Sequence, residues 1–340
     1  MRPVLTDCVP DMILPPEAER RAATAGGTLD DHDRWMAHWP AMQTLELRQP
    51  PRTLPPPRHL TVAAWNMERC KRVEDSADLL RREGADVVLA TEMDLGMARS
   101  GQRHTARDLA EALGFGYVWG VEFVELGTGD PVETAAFAGV PNRAGLHGNA
   151  ILSRYPLIDP ALVPLDPGGA WFASSPKADG QYRVGGRMAL LAGIATARGP
   201  VTVAAVHFES ESTPETRAGS FRILLDGIAA HAGPGPCVIG GDLNTAALQP
   251  LTAAERLADP AAHEPCFAVA EAAGFGWRQS NTGAPTTRAA PGRLPLYPLV
   301  ALDWILARDL PACHPRVVPA LSARGEYLSD HEPVLAGFPL

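Results

Sequence analysis

The stretch Gly240-Gly241-Asp242-Leu243-Asn244-Thr245 combines residue types that can do chemistry. It follows Cys237-Val238-Ile239, a short apolar and partly β-branched run that reads as a buried strand. Two glycines end that strand and let the backbone turn closely. In an extended segment alternate side chains share a side, so Asp242 and Asn244 present two oxygens to one point at the strand's C-terminal mouth. Hard oxygen donors of this kind suit Mg²⁺, Mn²⁺ or Ca²⁺. Asp and Asn after Gly-Gly are equally ordinary turn formers. The motif therefore gains its weight from the rest of the chain.

The same position type recurs. Asn66 and Glu68 follow the apolar run Leu60 to Trp65, and Glu92 follows Ala85 to Ala90. His207 closes Val203-Ala204-Ala205-Val206, and Asp330-His331 precede the apolar Val334 to Phe338. Asp303 stands inside Leu302 to Leu306, where a carboxylate among apolar strand residues needs a partner. His207 alone is as well read as a core histidine with a satisfied ring. Several strand ends carrying such groups together point to one site, because strand mouths are where sheet proteins assemble sites.

These residues need strands to carry them. Apolar runs predict strands near 60–65, 85–90, 116–126, 147–153, 187–195, 201–208, 237–239, 300–306 and 334–338. Helices are predicted near 75–83, 105–113, 213–231 and 264–273, the third starting at Thr213-Pro214-Glu215 with a cap and a first-turn proline. The order mixes hairpin-like and crossover connections, which implies two packed sheets flanked by helices. Loops fall at about 127–145, 164–186 and 275–300. Their Trp171, Phe172, Trp277 and Tyr297 either meet a ligand or pack the loops. Residues 1–57 form a proline-rich extension with one helix, about Asp31 to Met42, whose Trp35, Met36 and Trp39 pack on the main domain at 58–340. The cluster Asp30-Asp31-His32-Asp33 reads as a solvated helix N-terminus with capping acids rather than a metal site.

Bulk composition narrows the class. The chain has 340 residues, 46% of them hydrophobic, enough for a large core. Its net charge is −9 and Lys71 and Lys177 are the two lysines. Such a balance disfavours non-specific nucleic-acid binding, which draws on phosphate neutralisation. Five scattered cysteines form no CxxC pair, so free buried thiols in a reducing compartment are expected. The N-terminus lacks a basic region followed by an apolar run, and no stretch approaches a membrane span. The expected location is the cytoplasm.

Taken together, Trp65-Asn66-Met67-Glu68, Ala90-Thr91-Glu92, Gly148-Asn149-Ala150-Ile151-Leu152-Ser153, Val206-His207, Gly241-Asp242-Leu243-Asn244, Leu302-Asp303-Trp304-Ile305 and Ser329-Asp330-His331-Glu332-Pro333-Val334 resemble the successive motifs of the endonuclease/exonuclease/phosphatase (DNase I-like) superfamily. The resemblance covers about His59 to Leu340. It implies a four-layer αββα sandwich of two mixed β-sheets flanked by helices, and Mg²⁺-dependent cleavage of a phosphoester by water. It assigns Glu92, Asn66 and Asp330 to the metal. It makes Asp242 the group that orients or deprotonates water, with Asn244 on a phosphate oxygen. His331, oriented by Asp303, would stabilise the transition state, and His207 would be a second histidine at the phosphate. In the DNase I branch that histidine leans on a glutamate from a neighbouring strand; the nearest position here is His147, which leaves the partner of His207 open. Asn149, Arg187 and Glu68 fall on the substrate side. Arg187 is either a phosphate contact or a surface arginine, and Glu68 a further acidic ligand or a local cap. The leading reading is a phosphoesterase acting on a small molecule or lipid headgroup. A nuclease of the same fold and a non-catalytic binding protein are the alternatives.

Overall fold

The computed structural model describes residues 2–174, 181–289 and 299–340; Lys177 and Tyr297 lie outside the described residues. In chain order its strands are β1 (Cys8–Val9), β2 (Leu45–Arg48), β3 (His59–Arg69), β4 (Val87–Leu95), β5 (Gly116–Glu125), β6 (Leu146–Ser153), β7 (Ile158–Pro164), β8 (Arg183–Gly185), β9 (Met188–Thr196), β10 (Gly199–His207), β11 (Cys237–Asp242), β12 (Asp303–Arg308), β13 (Cys313–Val317) and β14 (Val334–Pro339). The helices are α1 (Glu17–Ala23), α2 (Leu29–His38), α3 (Val73–Arg82), α4 (Thr105–Leu113), α5 (Pro131–Ala136), α6 (Pro214–His231), α7 (Ala253–Ala258) and α8 (Cys266–Ala272).

Two mixed sheets stack face to face. The first runs β1-β2-β5-β6-β4-β3-β14-β13 with β8 paired to β5, and the second runs β12-β11-β10-β9-β7. Val62, Ala64, Val87, Leu89 and Ile151 from the first meet Leu190, Val203, Ala205, Val238 and Ile305 from the second in one apolar layer. Helices α3 and α4 with the N-terminal helices cover the outer face of the first sheet. Helices α6 and α8 cover the second. This is the expected four-layer sandwich. No helix among the described residues is long and apolar enough to cross a membrane.

Gly240 and Gly241 remain within β11, rather than ending it. A Cβ on Gly240 would lie 2.8 Å from Leu89 Cδ1 and 3.0 Å from Ala64 Cβ, so its bare Cα lets the sheets approach. Gly241 has φ +144°, and a Cβ there would collide with the Val206 carbonyl. Gly240 thus brings the Asp242 end of the second sheet close to the first, and Gly241 lets β11 pass close to β10.

Residues 1–57 are woven into both sheets. β2 pairs antiparallel with β5, β1 pairs with β2, and Leu5 bridges to Leu162 of β7. Two α-helices form here where the sequence pattern marks one; α1 reads Glu-Ala-Glu-Arg-Arg-Ala-Ala and lacks an apolar period. α2 begins at Leu29, with Thr28 as its N-cap accepting from Asp31 N. Glu46 fastens the segment. Its buried carboxylate accepts from Met12 N at 2.7 Å and Arg107 Nη2 at 2.8 Å, and lies 2.9 Å from His104 Nε2, with Tyr117 Oη as a further donor. Burial pushes the Glu46 pKa up, but His104, Tyr117 and Arg107 prevail and hold it at about 2. All five cysteines are free; Cys70, Cys237 and Cys266 are buried, whereas Cys8 is exposed.

Candidate active site

The site forms where the ends of the two sheets meet. In the second sheet, His207, Asp242 and Asp303 lie side by side, in register across β10, β11 and β12. Cross-strand neighbours share a face, so an imidazole and two carboxylates point the same way. Asn244 N donates to Asp242 Oδ1 at 2.8 Å, and Asn244 Nδ2 donates to Phe208 O at 2.9 Å, with Asn244 itself at φ 49°. Asp242 Oδ2 is turned towards the first sheet, where Asn66 Nδ2 lies 3.1 Å away.

The first sheet supplies its groups through irregularities. The ladder between β3 and β4 shifts between Asn66 and Arg69, and that between β4 and β6 shifts between Ala90 and Met93. Glu68, Arg69 and Cys70 have φ of 42°, 72° and 50°, and Glu92 has 58°. Asn66 and Glu92 therefore sit at bulges within continuing strands, rather than at strand ends. Such bulges re-aim side chains, and left-handed backbone at non-glycine residues clusters at functional sites.

Asn66 joins the two sheets: its Nδ2 lies 3.1 Å from Glu92 Oε1 and 3.1 Å from Asp242 Oδ2. Arg69 pairs with the other Glu92 oxygen. Burial would raise the Glu92 pKa, yet Arg69, His207 and His147 hold it well below the usual carboxylate range. Asp330 N donates to Glu68 Oε2 at 3.1 Å, and Lys71 Nζ lies 3.0 Å from Glu68 Oε1. Asp330 occupies the rim. The protein crowded around its carboxyl raises the pKa to about 6; His331 pulls it down, while Glu68 and Glu92 push it up.

Two histidines flank Asp242. His331 Nε2 lies 3.9 Å from Asp242 Oδ2, and His207 Nε2 lies 3.7 Å from the same oxygen. Behind His331, Asp303 Oδ2 is 2.7 Å from Nδ1 and also accepts from Thr286 Oγ1 at 2.7 Å. Burial disfavours a charged His331, but the Asp303 and Asp242 carboxylates outweigh it and hold its pKa well above the usual histidine value. The His331 backbone is fixed by Ser329 Oγ, 3.0 Å from its N, and by Trp65 Nε1, 2.9 Å from its O.

Behind His207 stands Arg187, its Nη1 3.0 Å from His207 Nδ1. Arg187 also reaches Glu122 Oε2 at 3.3 Å and Glu209 Oε2 at 3.1 Å. Glu122 Oε2 lies 3.6 Å from His207 Nδ1, so the glutamate beside this histidine comes from β5. His147 instead lies 2.8 Å from Asp94 Oδ1 and 3.1 Å from Arg99 Nη2 in a separate buried network. Glu122 was open to the argument used for Asp303, since a glutamate within an apolar strand needs a partner. Glu209 follows His207 by two, the alternation that pairs Asp242 with Asn244.

The structure thus brings together Asn66, Glu68, Glu92, Arg187, His207, Asp242, Asn244, Asp303, Asp330 and His331. Asn149 is buried next to this group: its Nδ2 is 3.5 Å from Met188 O, and its Oδ1 has no partner. On the first-sheet side the Glu68, Glu92 and Asp330 carboxylates supply oxygens, while Asn66 turns its Nδ2 to Glu92 and Asp242 and its Oδ1 accepts from Glu68 N. Glu68 and Glu92 raise the Asp330 pKa, a crowding of negative charge that a hard divalent cation relieves. The residues present therefore fit such an ion. Asp242, Asp303 and His331 also place one potential ligand atom each within 4.8 Å of one another.

The sequence matches the Endonuclease/Exonuclease/phosphatase family over residues 63–331. The chain belongs to this family. Its members are generally phosphoester hydrolases that use divalent metals. The fold is shared with an endonuclease/exonuclease/phosphatase from Beutenbergia cavernae, at 20% identity and TM-score 0.57, covering 84% of this chain and 72% of the other. One from Bacteroides vulgatus aligns at 18% identity and TM-score 0.56, covering 83% and 99%. TDP2 from Caenorhabditis elegans aligns at 15% identity and TM-score 0.50, covering 83% and 74%. A search of curated proteins found no match.

Proposed function

We propose that the protein hydrolyses a phosphodiester, or a phosphomonoester, of a small molecule or lipid headgroup, with a divalent ion such as Mg²⁺ and with water as nucleophile. One observation carries this reading: the Asp242 carboxylate stands between two imidazoles, 3.7 and 3.9 Å away, and is joined through Asn66 to the Glu92 carboxylate. Glu92, Asn66 and Asp330 would hold the ion, with Glu68 beside them. When bound, the ion supplies Lewis-acid neutralisation of the phosphoryl charge.

The chain's own groups do the rest. Asp242 has one oxygen fixed by the Asn244 backbone, so the other is aimed to orient or deprotonate a water. His331 is charged, and its Nε2 is free to donate to a phosphoryl oxygen as negative charge builds. Asp303 sets that ring's orientation. His207 offers a second donor, and Asn244 and Arg187 bound the phosphate side.

The cationic groups argue for a small substrate rather than a nucleic-acid backbone. Arg187 is engaged by Glu122 and Glu209, Arg69 by Glu92 and Glu133, and Lys71 by Glu68. Cations so committed are poor at replacing counterions along a polyphosphate. Free thiols buried in the core favour a cytoplasmic location.

The test is release of nitrophenol from bis(4-nitrophenyl) phosphate with Mg²⁺ or Mn²⁺, repeated with excess chelator. We expect turnover that the chelator abolishes. No turnover with any divalent ion, together with no metal binding by calorimetry, would sink the reading. A salt-sensitive, length-dependent affinity for DNA would favour a nuclease.

A further inference from the structure

We infer that Trp171 is the floor of an aromatic subsite, which takes a planar aromatic substituent of the phosphoester. The inference rests on the phosphoesterase reading above and names the kind of substrate group that site selects.

Trp171 lies in a single π-helical turn, Ala170–Ser174. Such turns are frequent at functional sites. Its ring is fixed from two directions. Nε1 donates to Glu209 Oε2 at 2.8 Å. The Arg183 guanidinium stacks 4.1 Å from the ring centroid, and lies 4.0 Å from that of Phe123 on its other side. Yet Trp171 is only half-buried. Trp39, Trp65, Trp119, Trp277 and Trp304 are exposed by 1% or less. Trp35, also half-buried, stacks on Trp39 at 5.0 Å. Trp35 thus rests on another indole, whereas Trp171 rests on a guanidinium and a carboxylate. Trp171 is pinned by its Nε1 edge and by the guanidinium over its ring, and it is not fully buried. An aromatic held this rigidly loses little freedom when it stacks on a ligand.

Its location suits the reaction. Glu209, which holds the indole, also holds Arg187; Arg187 touches His207; His207 faces Asp242. The platform is therefore connected to the reacting centre through three side chains.

The underside is built by the N-terminal segment. Phe172 stacks on Tyr182 at 4.8 Å and lies 6.0 Å from the buried His32 ring of α2. His32 Nε2 is 3.2 Å from both N and O of Gly185, two residues before Arg187. A side chain at Gly169 would collide with His32 and Leu29. The His32 that reads as part of a solvated helix start is thus the part of α2 that seats this turn.

The experiment is calorimetry of the full chain with Mg²⁺, using phenylphosphonate, methylphosphonate and adenosine 5′-monophosphate. An aromatic ligand should bind about tenfold tighter than methylphosphonate, the usual scale for stacking on one ring. W171A should erase that preference while leaving methylphosphonate affinity within a few-fold, and W171F should keep most of it. Loss for phenylphosphonate identifies an aryl ester, and loss for the nucleotide identifies a nucleobase. Equal binding of all three by the native protein, or a preference that survives W171A, overturns the subsite alone. Failure of every phosphonate and phosphate to bind overturns the phosphoesterase reading along with it.

Discussion

Two histidines face one oxygen of Asp242 at nearly the same distance, and the protein equips them differently. His331 is backed by the Asp303 carboxylate, which in turn accepts from Thr286. Nothing cationic stands between ring and acid, so the ring is driven to its charged form. His207 is backed by the Arg187 guanidinium, with Glu122 and Glu209 beyond. A guanidinium can only donate. His207 Nδ1 thus meets that guanidinium at 3.0 Å and the Glu122 carboxylate at 3.6 Å. One ring has a carboxylate alone behind it, which favours its charged form; the other has an arginine behind it with two glutamates beyond. Similar placement therefore does not imply the same role.

The largest break in this comparison is His331→Ala. It should reduce kcat on the order of 10³-fold, as loss of a charged transition-state donor does, with Mg²⁺ affinity by calorimetry little changed. A large fall in metal affinity would assign His331 to the ion instead. Glu122→Gln sharpens the other half. Arg187 keeps Glu209, so kcat/KM should fall by roughly tenfold rather than a thousandfold. A loss equal to that of His331→Ala would mean the two sides act alike.

Glu46 offers a contrast without catalysis, because its network is as buried as the site but lies on β2 and β5. Its folded pKa of about 2 is below the ordinary 4.5. A carboxylate depressed in this way contributes stability that is complete above the unfolded value and is lost as pH falls from 4.5 towards 2. Allowing for water around Arg107, the contribution is on the order of 2 kcal/mol. Glu46→Gln should therefore flatten the acid side of the unfolding profile measured by urea denaturation, with kcat at neutral pH unchanged. An unaltered acid limb would remove Glu46 from the joint.

Much of the site could be read from sequence because its residues follow short apolar runs. Asp242, Asp303 and His207 end or begin three adjacent strands, and the register between those strands puts them on one face. Glu122 escaped because it lies in the alternating Val118 to Glu125 stretch, where a polar residue reads as solvent-facing; β5 is in fact buried along its whole length. β2 escaped for another reason. Four residues between prolines carry no local signal, and the strand exists through pairing with β5, some seventy residues on. Left-handed backbone at Glu68, Arg69 and Cys70 was equally silent, since none is a glycine and the bulge answers to the neighbouring strand. Local pattern carried the residues that end strands. Partners fixed by pairing needed the fold.

The account turns on Asp242, and Asp242→Asn tests it most directly. The amide keeps the shape and can still accept from Asn244 N, but it gives up the second acceptor that meets Asn66 Nδ2 and removes the base and the charge. Hydrolysis of bis(4-nitrophenyl) phosphate at saturating Mg²⁺ should fall on the order of 10³-fold or more with melting temperature unchanged. Turnover within a few-fold of the native rate would contradict the assignment of Asp242 as the group that prepares the water.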